Sequence, residues 1–347
     1  MSRPAPPDHL LDRHPATWPE AFAALGGRPF QARSAARWLW RRGAADWDAM
    51  TDLPAALRAR LAERWPLPPA REVGRRVAED GAVKALLELR DGARVEAVRM
   101  PGTRGHTLCI STQVGCPIRC AFCASGMDGL ERNLTPGEIL AQALWALGEG
   151  GFGRLVVMGM GEMGHNLEAT LAALDVLLDE DGLGLGARRV TVSTVGPRGA
   201  LQTLAAWGRP VHVALSLHAP DDALRRELVP GVARRSIAET LDEADAAFRA
   251  TGREYTVEYV LLAGVNDRPE QAQALAELLR ERRCHVNLIP YNPVEGLPFA
   301  RPPLADRRSF AATLREAGLS VTLRRSLGRS AEAACGQLRR RPPAAPV

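Results

Sequence analysis

Apolar residues in the first 70 positions fall into short blocks, each stopped by glycine or proline. The blocks are 19–25 before Gly26 and Gly27, 32–42 with Trp38 and Leu39 as anchors, and 54–64 before the proline-rich stretch 65–69. This pattern predicts three short helices, which need one another to be stable, and so a helical accessory domain over residues 1–75. The pattern then changes. Residues 83–89 and 94–100 are β-type runs separated by Asp91 and Gly92, which predicts a β-hairpin connector over 76–104. From residue 107 apolar runs alternate with helix-like stretches. Strands are predicted at 107–112, 154–160, 189–194, 211–218, 255–262 and 285–291, and helices at 135–149, 167–179, 198–207, 236–250 and 271–282. Thr135 and Glu138, with Pro136 between them, have capping-box spacing. Six strands alternating with helices give an α/β fold with a parallel sheet closed as a partial (β/α)6 barrel over 105–340, and a disordered tail over 341–347. Chemistry in such folds gathers at the C-terminal ends of the strands.

Composition narrows the classes. With 46% hydrophobic and 24% charged residues the chain is globular rather than disordered. No apolar run approaches the roughly 18 to 20 residues that cross a bilayer. The first fifteen residues have no apolar segment that could serve as a signal peptide, so a cytoplasmic protein without membrane contact is expected. The net charge is +5, and all but one of the 45 basic side chains are arginine, Lys84 being the exception. Guanidinium groups grip phosphate in bidentate fashion, which makes nucleic acid a candidate partner; ordinary solvated arginines explain the same count.

Six cysteines stand at 109, 116, 120, 123, 284 and 335. A disulfide scaffold is not expected without secretion, and four cysteines within fifteen residues point to metal or catalysis. The run Cys116-Pro-Ile-Arg-Cys120-Ala-Phe-Cys123 puts three thiolates on one loop after the first barrel strand. Three thiolates can hold three irons of a 4Fe–4S cluster and leave the fourth iron for a ligand; a zinc site with Cys109 as fourth ligand is the alternative, although the spacing is wrong for paired knuckles. The run resembles the fingerprint of radical S-adenosylmethionine enzymes. That resemblance implies Cys116, Cys120 and Cys123 as cluster ligands and S-adenosylmethionine on the fourth iron. It implies cofactor contacts from Gly161 and Glu162 after the second strand, Ser193 at the end of the third, Ser216, Leu217 and His218 at the end of the fourth, and Asn292 after the sixth.

Further stretches sharpen the match. Leu108-Cys-Ile-Ser-Thr-Gln-Val-Gly-Cys116, Asn133-Leu-Thr-Pro-Gly-Glu-Ile139, Ser216-Leu-His-Ala-Pro220, Asn287-Leu-Ile-Pro-Tyr-Asn-Pro293 and Ala333-Ala-Cys-Gly-Gln-Leu338 together resemble the RlmN/Cfr family of radical methyltransferases acting on adenine in RNA. The resemblance runs from about residue 17 to 340 and favours the RlmN branch. It implies methylation of carbon 2 of adenosine 2503 in 23S rRNA, with tRNA adenosine 37 as a further substrate; Cfr-type methylation of carbon 8, or another RNA target, is the alternative. A zinc-stabilised RNA-binding protein without catalysis is the alternative of another class. Two S-adenosylmethionine molecules per turnover, an electron donor such as flavodoxin or ferredoxin, and a monomer are implied. Cys335 matches the residue that carries the methyl group, Cys109 the resolving thiol that forms a transient disulfide with it, and Glu96 the proton acceptor. Arg324, Arg325 and Arg329 near Cys335 would favour its thiolate. The chain departs from the family at Met163-Gly164-His165 and at Gly231-Val232-Ala233, which touches the fit to RNA but removes no chemical group.

Overall fold

Three short helices open the chain: α1 (Trp18–Ala24), α2 (Pro29–Arg42) and α3 (Ala55–Arg64). In the computed structural model, which describes residues 8–103, 105–324 and 327–340, they lie where the glycine and proline stops predict. Proline stands in the first turn of α1 and α2, where no intrahelical donor is lost. Trp18, Phe22, Leu39, Trp40, Leu57 and Leu61 are buried in a core continuous with that of the following sheet. Polar contacts fix the same docking: Arg41 donates to the Leu183 carbonyl at 2.6 Å, and Gly137 N–H donates to Asp12 at 2.9 Å.

The sheet begins at β1 (Ala70–Val77), which pairs antiparallel with β2 (Val83–Leu89), and β2 with β3 (Arg94–Met100). Strand β3 pairs antiparallel with β4 (Thr107–Cys109), so the hairpin continues the barrel sheet. A small ladder, β5 (Gln113–Gly115) with β6 (Leu130–Asn133), and helix α4 (Pro136–Gly148) follow. Thr135 and Glu138 make the capping box that their spacing predicts. Then come β7 (Arg154–Val157), α5 (Leu167–Leu178), β8 (Val190–Thr194), α6 (Ala200–Trp207) and β9 (His212–Ser216). The chain goes on through α7 (Asp222–Leu228), α8 (Ile237–Thr251), β10 (Tyr255–Leu261), α9 (Pro269–Leu279), β11 (Cys284–Pro290), α10 (Leu304–Glu316) and β12 (Ser320–Leu323). The order across the ten-stranded sheet is β1-β2-β3-β4-β7-β8-β9-β10-β11-β12, and every pairing from β4 to β12 is parallel. The two ends do not pair, so the barrel is partial.

The six predicted barrel strands are present, and β12 adds a seventh parallel strand. It is four residues long with alternating exposure, so it offers no apolar run to read. Strand β1, never fully buried, begins at Ala70, inside the 1–75 segment expected to be helical, because its residues gain strand partners only from β2. The tail 341–347 and Arg325 lie outside the described residues. Among the described residues no helix is long and apolar enough to cross a membrane.

Candidate active site

The β5–β6 ladder pinches shut the base of the loop that carries Cys116, Cys120 and Cys123. Closure is tight. At Gly115, φ is +81° and an added Cβ would lie 2.0 Å from the Gly129 carbonyl oxygen, which only glycine permits. Backbone bonds hold the loop to its surroundings: Cys116 N–H to Gly129 O at 3.0 Å, Ala121 N–H to Leu228 O at 3.0 Å, and Gly231 N–H to Ile118 O at 2.9 Å. That last bond places one of the two departures from the family pattern directly against the cysteine loop. Phe122 sits edge-on to His218, with ring centroids 5.0 Å apart.

The three thiols line one cavity at the C-terminal ends of the parallel strands. Burial pushes the Cys116 thiol up to about 12 and raises Cys120 and Cys123 as well, so the free groups hold their protons and a bound metal would replace them. Among the described residues no three Cys, His, Asp or Glu side chains converge as they would around one ion. Thiolates that each bind a separate iron of a cluster need no such convergence.

Gly161, Glu162, Ser193, Ser216, His218 and Asn292 line the same cavity. Leu217 does not. Its side chain is fully buried in the main core, because consecutive residues leaving β9 face opposite sides and the cavity receives Ser216 and His218. Gly161 has φ +104°, and a Cβ there would meet Gln113 Cβ at 2.7 Å. Glu162 accepts from Gly164 N–H at 2.7 Å, from the Thr194 hydroxyl at 2.5 Å and from Val195 N–H at 2.8 Å. Burial still pushes its carboxyl up, against the pull of these donors. The Ser193 and Ser216 hydroxyls are 3.3 Å apart. His218 Nδ1 accepts from Val260 N–H at 3.2 Å, so Nε2 bears the ring proton, and burial, helped by Arg225, pushes this histidine down to about 3. Asn292 donates to the Cys335 carbonyl at 3.2 Å, while its Oδ1 is buried and finds no partner among the described residues. Three sulfur donors on one wall, close-approach glycines and an unsatisfied amide oxygen fit a three-thiolate cluster with S-adenosylmethionine beside it.

Cys335 closes the cavity on an irregular segment, 327–340, seated on the cysteine loop: Ala124 N–H donates to Gly336 O at 2.8 Å and the Ser125 hydroxyl to Leu338 O at 2.9 Å. Cys335 also lines an adjoining cavity with Cys109, Met158 and Arg324. Burial, then the nearby Cys335, pushes Cys109 up to about 12. Both are free thiols, so the disulfide that the resemblance implies is not formed in this structure; a bond made and broken within a reaction cycle need not persist at rest. Glu96 is buried but lies in a separate, smaller cavity, where it pairs with Lys84 at 3.0 Å. Some polar and large cavity residues receive no site role from the sequence. Glu258, with a carboxyl raised by burial, sits on a strand with no motif to mark it; Tyr291 and Met158 lie in matching stretches that give them no role of their own; Arg324, read only as a cation near Cys335, proves to be a wall of both cavities and is raised chiefly by Cys335.

Comparisons with known proteins agree with this geometry. The sequence model of the Radical SAM superfamily matches residues 110–279, and that of the ribosomal RNA large subunit methyltransferase N-terminal domain matches residues 9–66. The chain is 47% identical to a probable dual-specificity RNA methyltransferase RlmN of Rhodopirellula baltica, over 96% of this chain and 91% of that one. It is 45% identical to the protein of the same description in Deinococcus deserti, over 97% and 98%. A crystal structure of a radical SAM methyltransferase from Sphaerobacter thermophilus superposes with a TM-score of 0.94 at 44% identity, covering 96% of this chain and all of the other.

Proposed function

Because the chain belongs to the RlmN family of radical S-adenosylmethionine methyltransferases, we propose that it methylates carbon 2 of adenine in RNA by way of a methyl group carried on Cys335. The targets on this reading are adenosine 2503 of 23S rRNA and adenosine 37 of tRNA. The observation that carries it is the place of Cys335, which borders both the cavity of the three cluster thiols and the adjoining cavity of Cys109.

Cys116, Cys120 and Cys123 would hold the cluster. When bound, and reduced by a donor such as flavodoxin or ferredoxin, it supplies the electron that turns S-adenosylmethionine into a source of a carbon radical. Gly161 allows the backbone to approach the methionine end closely, and Glu162, fixed by three donors, keeps one lone pair of Oε2 for an ammonium. Cys335 forms its sulfur–carbon bond as the sulfonium methyl bond of a first S-adenosylmethionine breaks. A hydrogen atom of that methyl passes to the carbon radical derived from a second S-adenosylmethionine. The methylene carbon adds to carbon 2 of the base, and the adduct gives up the carbon 2 proton and one electron, equal to the one spent on cleaving S-adenosylmethionine. The Cys109 thiolate then attacks the Cys335 sulfur: the sulfur–sulfur bond forms as the sulfur–carbon bond breaks, and the released carbon takes up a proton to become the methyl of the product. The buried Cys109 thiol must first lose a proton, which holds it inert until then. Arginines on the surface supply the phosphate contacts.

The two thiols therefore fail differently. Cys109→Ala should remain joined to RNA through Cys335, seen as a nuclease-resistant mass on the peptide containing Cys335. Cys335→Ala should carry no adduct. Methylation of RNA by Cys335→Ala, or an adduct on Cys109, would overturn the assignment.

A further inference from the structure

Lys84 is the only lysine of the chain, and it is 5% exposed. A buried ammonium is costly unless its protons find acceptors. Here they do: Nζ lies 3.0 Å from Glu96 Oε1 and donates to the Glu332 carbonyl at 2.9 Å. Glu96, 1% exposed, accepts from Arg339 N–H on its other oxygen at 2.8 Å. Lys84 on β2 stands opposite Val98, two residues beyond Glu96 on β3, so the pair is a diagonal neighbour contact on one face of the hairpin. The strands alone can set it up.

Its two further bonds go to the segment that carries Cys335. Glu332 precedes that cysteine by three residues and Arg339 follows it by four. A single ion pair thus receives both stems of the loop. Glu332 has φ +50°, a conformation that a non-glycine residue keeps only where its surroundings impose it. A planar guanidinium would not easily bridge a carboxylate and a carbonyl in this way; a compact ammonium on a flexible stem can.

We infer that Lys84 and Glu96 are positioning residues for the carrier thiol: their ion pair pins both stems of the 332–339 loop and so sets where Cys335 stands. The inference rests on Cys335 as the carrier. It also gives Glu96 a task that both of its oxygens already perform.

The test uses the full chain with its cluster reconstituted anaerobically. Lys84→Met removes one prong. The double variant Lys84→Met/Glu96→Gln removes both charges, so neither an unpaired buried charge nor the misfolding it could cause can account for the result. The first readout is the rate at which iodoacetamide alkylates Cys335, resolved from the other cysteines by peptide mass. It should rise about tenfold in both variants, the scale of a lost charge-assisted hydrogen bond, while the visible absorbance of the cluster stays at the wild-type value. The second is the fraction of Cys335 that acquires a methyl from S-adenosylmethionine, which should fall by a similar factor. Wild-type rates of alkylation and methylation in the double variant would overturn the anchor. Wild-type protein that never methylates Cys335 would overturn the carrier reading instead, and the alkylation rates would still report on the anchor.

Discussion

The loop of Cys116, Cys120 and Cys123 and the loop of Cys335 face each other across one cavity, yet they are held by different means. The first is closed by a β-ladder and by backbone bonds to Gly129, Leu228 and Gly231, inside packed structure. The second contains a single turn of 3-10 helix and no strand, and it is tied down mainly by side chains: Lys84, Glu96, Ser125 and Asn292. Backbone ladders in a core open only with the structure around them, whereas side-chain tethers can be exchanged one at a time. The difference suits the two tasks proposed. A source of radicals has to stay fixed. A carrier thiol has to meet a methyl donor, a base and Cys109 in turn.

The largest test of this contrast removes sulfur from each loop. Cys120→Ala should abolish the brown absorbance of the reconstituted protein and all cleavage of S-adenosylmethionine, while Cys335→Ala should keep the absorbance. Iron and sulfide analysis of both proteins checks this, and loss of the cluster from both would erase the contrast. A smaller effect compares two glycines with nearly the same φ. Gly115→Ala meets a carbonyl oxygen at 2.0 Å as well as the strain of φ +81°, whereas Gly336→Ala meets nothing closer than 3.8 Å at φ +83°. Thermal denaturation should show a loss of about 3 kcal/mol for Gly115→Ala and about 1 kcal/mol for Gly336→Ala, with cluster loading impaired only in the first.

The last effect is nil at neutral pH and appears only in acid. His218 packs on Phe122 of the cysteine loop and has a folded pKa lowered from 6.5 to about 3. The unfolded chain therefore takes up a proton that the folded chain refuses. The stabilisation that this neutral histidine contributes is complete above about pH 6.5 and drains away as pH falls toward 3. In the metal-free protein, the melting temperature of His218→Asn should lose less than that of the wild type over that interval. Parallel curves would remove His218 from the acid response of this wall.

The parallel barrel strands are legible in the sequence because buried strands are apolar runs, and β10 is buried almost throughout. The cluster cysteines are legible because their spacing lies within one short loop. What escapes depends on placement in space. Strands β5 and β6 are three and four residues long and exist through each other. Leu217 follows a cavity serine and precedes a cavity histidine, and only the pleat of the strand turns it inward. Glu96 is read correctly as a residue of the hairpin strand, but its partners come from Lys84, twelve residues earlier, and from Arg339 at the far end of the chain.

A closed barrel has no free sheet edge; among the described residues this one has two, and unpaired edges recruit other strands. At one end β1 bends at a bulge between Glu72 and Gly74 and is studded with Arg71, Arg75 and Arg76. Arg75 is tied down by Glu72 and Glu149, so an incoming strand would have to break ion pairs and follow a kink. At the other end β12 offers only four residues. An open sheet is thus combined with margins that resist the addition of a further strand.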